Sequence, residues 1–234
     1  MFTVATDWNP KQSLLKELIL KKEFFTDSLN LIKDMHSLVH LSEMSCSSIT
    51  TYADEVLHEL TECDYSIMPT NKDVTIAWNL WHITRIEDLT MNLLVNDSNQ
   101  VLDNAWLTKL HIDVRDTGNA MSDDEIIDLS NKIDKSVLIN YRNTVGKRTR
   151  EILDQLTFSD LKRKVKKESL ERILLEGGVT TQGDSIWLLD FWGNKTVAGI
   201  IQMPLTRHQI VHLNDCVKLR KKINTIANKR SKQI

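Results

Sequence analysis

Two histidines four residues apart, His208 and His212, are the side chains in this sequence best placed to share a ligand. Within a helix that spacing puts both imidazoles on one face, with Cβ atoms about 5–6 Å apart. Two neutral imidazoles so placed can bind one metal ion. Leu205, Leu219, Ile223 and Ile226 continue the same 3–4–7 spacing, which predicts that the pair occupies core positions of an amphipathic helix. A core imidazole needs a partner for each nitrogen, and a metal backed by outer hydrogen bonds supplies both. The same i,i+4 pair is also common on helix surfaces, where it binds nothing. Catalytic zinc sites typically use three protein ligands plus water, so a third ligand decides the matter.

The best third ligand is His82. It lies in the middle of a helical stretch over 74–95, on the stripe formed by Trp78, Leu89 and Leu93, with Ile86 beside it. Asp73 is the expected cap of that helix. His36 and His40 form another i,i+4 pair, in Met35-His36-Ser37-Leu38-Val39-His40. They stand near the end of a segment, where a histidine suits the helix C-terminus, and no metal role is expected of them. His111 falls in an irregular stretch and is expected to be exposed.

The elements that must position these residues follow from periodicity. Helices are predicted over 10–45, 74–95, 131–157 and 196–229, the first with a break near Thr26-Asp27-Ser28. Ser122-Asp123-Asp124-Glu125 is a capping box that starts a short helix through Leu129. Ser185–Trp192 reads as another short helix, and Gly177-Gly178 as a helix stop. Gly146, inside the third long helix, marks a close helix contact. Thr196 caps the last helical run, and Pro204 either begins its final helix or kinks a longer one. With 7 Gly and 3 Pro in 234 residues, a sandwich or barrel is disfavoured. The expected architecture is all-α: one four-helix bundle spanning 1–234, with crossover connections and extra short helices in long loops around 96–130 and 158–195.

Composition sets further bounds. The hydrophobic fraction of 41% and charged fraction of 26% suit a soluble globular chain. The N-terminus lacks the pattern of a secretory signal, no apolar run approaches the ~18 residues of a membrane span, and the three cysteines form no CxxC; a cytoplasmic protein is expected. Of the 30 Lys and Arg residues, seven follow Asp215, and none of the 32 acids does. That basic tail is read as a solvated helix end, not as a specific nucleic-acid reader, because the rest of the chain is acidic.

Two stretches carry a resemblance to a known family. Ala77-Trp78-Asn79-Leu80-Trp81-His82-Ile83-Thr84-Arg85-Ile86-Glu87-Asp88 resembles the second-helix motif of the DinB/YfiT-like superfamily, and Thr206-Arg207-His208-Gln209-Ile210-Val211-His212-Leu213-Asn214-Asp215 resembles its last-helix HxxxH. The resemblance implies a four-helix bundle with a triple-histidine metal site, one ligand from the second helix and two from the fourth. His82, His208 and His212 fall on those positions. Characterised relatives include thiol-dependent S-transferases and isomerases, so the resemblance also implies a small-molecule substrate and a low-molecular-weight thiol as partner. The material in 96–130 and 158–195 exceeds the usual member, so substrate specificity does not carry over.

Three neutral imidazoles leave an ion its full charge and an open position, where the pKa of a water or thiol would fall toward neutral. Zinc or nickel is expected first, then iron or manganese, since imidazole suits them all. Glu87 and Asp215 are the nearest candidates for a general base or for carboxylates behind the ligands; surface charge or helix ion pairing is the competing role for both. Arg85 is a candidate for holding an anionic substrate or for pairing with Glu87, and Trp78 and Trp81 for walls of the pocket or for core packing. The functional expectation is a metal-dependent S-transferase or hydrolase. The alternative is a non-catalytic, metal-stabilised bundle that binds a partner or serves a stress response. A homodimer stays open.

Overall fold

The computed structural model describes residues 2–231. Four helices frame the bundle: α1 (Phe25–Val39), α2 (Ile76–Asp88), α3 (Lys135–Gln155) and α4 (His208–Ser231). No strand forms among the described residues, where a lone antiparallel bridge joins Lys164 and Thr196. None of the described helices is long and apolar enough to cross a membrane.

Several helices start where the chain offers a side chain to their free N–H groups. Asp134 accepts from Val137 N at the head of α3, and Ser122 with Glu125 forms the expected capping box at Asp123–Lys132. At α2 the cap is Thr75, which accepts from Trp78 N, and not Asp73. Asp73 lies just outside and pairs with Lys222 and Thr70. The opening segment divides earlier than expected. One helix covers Asn9–Leu18, Lys21 turns extended, and a 3-10 turn at Lys22–Phe24 leads into α1.

α2 is the centre of the molecule. It packs against both α3 and α4, and every residue from Thr75 to Val95 is buried, polar ones included. An amphipathic stripe would leave one face wet. Here the loop over 96–122, together with the helix at Lys167–Leu175 that packs on Leu89–Val95, adds the missing cover. The polar residues of α2 must therefore find partners inside the protein.

Two wide, π-helical turns extend the ligand-bearing helices. Leu89–Val95 continues α2, and Ile201–Arg207 leads into α4 after the short helix Val197–Ile200, which Thr196 caps as expected. Pro204 lies inside the second of these turns, so it neither begins α4 nor breaks the run. A proline cannot donate its share of the helical bonds, and the widened turn accommodates that loss four residues before His208.

Candidate metal centre

Four side chains on one face of α2 donate to four successive carbonyls of the loop after it. Arg85 Nε reaches Arg115 O at 2.9 Å, Trp81 Nε1 reaches Asp116 O at 3.0 Å, His82 Nδ1 reaches Thr117 O at 2.7 Å, and Trp78 Nε1 reaches Gly118 O at 3.2 Å. The loop is fixed at its far side by Thr117 N, which donates to Gly178 O. Gly118 has φ +77°, and a Cβ there would lie 2.7 Å from Trp78 Nε1. Only a glycine closes the loop so near the indole without strain.

This zipper sets the tautomer of His82. Its Nδ1–H is spent on the Thr117 carbonyl, so Nε2 carries the free lone pair. His212 is fixed in the same way, with Nδ1–H donating to Asn79 Oδ1 at 2.7 Å. His208 completes the group. Its Nε2 is 3.2 Å from His82 Nε2, and the three rings are mutual neighbours with centroids 4.5–5.0 Å apart. One ligand atom from each residue lies within 4.8 Å of the others. Two nitrogens each about 2.0–2.1 Å from one tetrahedral ion stand about 3.3–3.4 Å apart, so the His82–His208 spacing suits a shared ion.

Burial keeps these imidazoles in the neutral, ligating form. Desolvation pushes His82 down to about 3, with His212 adding to the shift and the Thr117 hydrogen bond opposing it. Desolvation takes His212 to about 4 and, with His82 and His212 nearby, moves His208 well below its ordinary value. The donor set and its outer hydrogen bonds thus fit a divalent ion. α4 brings two of these histidines to the group and α2 one.

The triad forms the polar end of a cavity of about 350 Å³. Its walls are apolar: Trp78, Ile86, Leu188, Phe191, Trp192 and Pro204. Trp78 also stacks on the His82 ring, 8° from parallel at 4.6 Å. Trp81 is instead a core residue, fully buried between the loop and Tyr141.

The carboxylates expected near the ion are elsewhere. Asp215 sits at the surface in an ion pair with Lys218 at 2.8 Å. Glu87 is fully buried but belongs to a second cluster, and neither residue lines the cavity. Arg85 pairs neither with Glu87 nor with the cavity. It is held by Asp88 at 2.9 Å, Tyr141 at 2.8 Å and Gln100 at 2.7 Å. His111 is exposed, in a left-handed turn that ends Asn104–Leu110.

The second cluster gathers all four bundle helices around Glu87. His36 Nε2 and Thr149 Oγ1 donate to Oε1, both at 2.8 Å; His40 Nε2 and Gln209 Nε2 donate to Oε2, both at 2.9 Å. Burial alone would raise the Glu87 pKa, but His40, His36 and their hydrogen bonds outweigh it and hold the carboxyl well below the usual range. Burial pushes His40 down to about 3 against the attraction of Glu87. His36 lies in the last turn of α1 and His40 at its C-cap, as expected, but both rings are buried and turn to Glu87 at the heart of the bundle. The i,i+4 spacing that marked them was signal; the missing piece was their partner, Glu87, on another helix.

His36, His40 and Glu87 also cluster closely enough to suggest a ligand set. Their hydrogen bonds argue otherwise. In the triad, two rings spend Nδ1 and free Nε2. Here both rings spend Nε2 on the carboxylate, and both Nδ1 atoms are buried without a partner among the described residues. An ion would have to displace both Nε2 hydrogen bonds to the carboxylate and leave two buried Nδ1–H groups without acceptors, where an ion on the triad leaves one, at His208. Arg142, buried beside the cluster and bonded to Gln209 Oε1 at 2.8 Å, already balances the Glu87 charge.

Fold and site together define an all-helical bundle with an inward-facing triple-histidine centre. The chain belongs to the DinB superfamily, whose family model matches residues 49–215. A solved structure described as that of a conserved protein from Enterococcus faecalis is similar in fold, with a TM-score of 0.57 and 18% identity over 84% of this chain and 96% of that one. No curated protein matches the chain.

Proposed function

We propose that this protein is a metal-dependent enzyme acting on a small molecule, as an S-transferase using a thiol or as a hydrolase. The observation that carries this reading is the pair of outer hydrogen bonds, from His82 to Thr117 O and from His212 to Asn79 Oδ1, which free two Nε2 atoms beside His208. His82, His208 and His212 would hold a divalent ion, with zinc or nickel preferred and iron or manganese next. Such an ion supplies Lewis acidity that makes a water or thiol nucleophilic near neutral pH.

The chain's own groups do the rest. Thr117 and Asn79 fix the ring orientations, and Trp78 holds the His82 plane by stacking. The cavity beside the rings leaves a direction of approach free of protein ligands, which favours an open site over a closed structural one. Its apolar walls offer the reacting groups few competing polar partners. Glu87 and Asp215 take no part in this reading, since neither carboxylate lines the cavity.

The test is cobalt substitution. Cobalt(II) bound to the three histidines should change its visible spectrum when a thiol is added, through a new sulfur-to-metal band. A spectrum indifferent to thiol, azide and cyanide would mean a closed site, and would favour the metal-stabilised bundle.

A further inference from the structure

Among the described residues, no charged side chain lines the cavity beside the triad. Apart from the three histidines, Asn119 is the one polar residue on its wall, and Asn119 Oδ1 already accepts from Thr117 Oγ1 at 2.7 Å. Lys195 lies 4.3 Å from the Phe191 ring centroid, yet it is not part of the wall. Away from an ion at the triad, a carboxylate carried into the body of this cavity would meet no side-chain cation among the described residues and would lose its hydration without return.

Three aromatic side chains come from a single element, the helix Gly183–Gly193 in the long connection before α4. Trp187, Phe191 and Trp192 line the cavity on that side. Trp192 is fully buried, whereas Trp187 is 46% exposed and pairs edge-to-face with Phe191 at 5.8 Å. Trp78 faces them from α2. Aromatic walls of this kind receive a flat ring in offset or edge-to-face contact. The volume of about 350 Å³ exceeds twice the ~150 Å³ that suffices for benzene in an apolar cavity.

We infer that this site takes an uncharged aryl or aryl-alkyl molecule bearing one donor group directed at the triad, and that it prefers such a molecule to small carboxylated thiols, which cannot fill the apolar body. The specificity-determining residues are Trp187, Phe191 and Trp192. The part concerning the donor group rests on the metal reading above; the part concerning the apolar body does not. The Gly183–Gly193 helix thus lines with Trp187, Phe191 and Trp192 the same cavity that the three histidines line.

Titrations followed by calorimetry and tryptophan fluorescence separate the two parts. Phenylmethanethiol and mercaptoacetate are compared on zinc-loaded protein, and toluene is titrated into metal-free protein. Phenylmethanethiol should bind at least ~10-fold more tightly than mercaptoacetate, and toluene should bind the metal-free chain. Trp187→Arg, at a half-exposed position that tolerates a long polar side chain, should narrow or invert the preference between the thiols; Trp187→Phe should keep it. Toluene binding without thiol binding would uphold the apolar site while removing the metal reading. Mercaptoacetate binding as tightly as phenylmethanethiol, or toluene failing to bind, would overturn the inference.

Discussion

Gln209 donates to Glu87 Oε2 at 2.9 Å and to Ile83 O at 3.1 Å, and so ties α4 beside His208 to α2 beside His82. Its Oε1 accepts from Arg142, which also donates to Val39 O. The polar cluster around Glu87 therefore joins the four helices at the level where the triad is assembled. A buried network of this sort stabilises only when complete, and each missing member leaves others unpaired.

Glu87→Ala should consequently be among the most damaging single changes. It leaves a buried arginine without its counter-charge and strips acceptors from four donors, at a cost of about 3–5 kcal/mol. Glu87→Gln keeps the shape and should cost less. Urea denaturation measures both; a loss under about 1 kcal/mol for Glu87→Ala would mean that the cluster contributes little.

The same cluster makes stability fall in acid. The folded-state pKa of His40 is near 3, against an ordinary value of 6.5. Between these values the unfolded chain holds a proton that the folded chain does not. The contribution is present above about pH 6.5 and is lost as pH falls toward the folded value, with a slope of up to about 1.4 kcal/mol per pH unit for one group. Unfolding free energies at pH 7, 6 and 5 should thus decline more steeply in the wild type than in His40→Gln. Parallel slopes would show that His40 takes up its proton without unfolding.

Gly146→Ala tests the close approach of α3 to His40. A Cβ at Gly146 would lie 2.8 Å from His40 Cε1 and Nδ1 and from Met44 Cγ. Despite the gain in helix propensity, the substitution should destabilise by about 1–3 kcal/mol through overpacking. A neutral or stabilising result would show that His40 and Met44 have room to move.

Gly118→Ala bears on the loop that orients His82. With φ +77° and Trp78 Nε1 at 2.7 Å, the new methyl meets both backbone strain and a clash. We expect a loss of about 1–2 kcal/mol. Zinc affinity should fall as well, because the Thr117 carbonyl shifts with its neighbour. Unchanged affinity would separate the loop from the metal centre.

Much of the bundle was legible in the sequence because its outer helices keep an amphipathic stripe, as α3 does with Val145, Ile152 and Tyr141 facing inward. The triad was legible because His208 and His212 share a face at i,i+4 and His82 is the one histidine in its helix. The chemistry around it was less so. Glu87, Arg85 and Asp88 look like the wet side of a helix, and nothing local shows that the loop over 96–122 will cover Arg85 and Asp88 or that the other bundle helices will enclose Glu87. Only the tertiary arrangement brings His36 and His40, some fifty residues earlier, to Glu87. The break at Lys21 has no proline or glycine to announce it, and the π turn at Pro204 reflects a compromise between a missing donor and a continuous helix.

The central claim is that His82, His208 and His212 hold one divalent ion, while the cluster of His36, His40 and Glu87 holds none. Elemental analysis of the purified protein and of single His→Gln variants at the five histidines tests this most directly. The account predicts one ion per chain in the wild type, the same in His36→Gln and His40→Gln, and loss of the ion in His82→Gln, His208→Gln and His212→Gln. Stoichiometric metal retained by the triad variants, or two ions in the wild type, would contradict it.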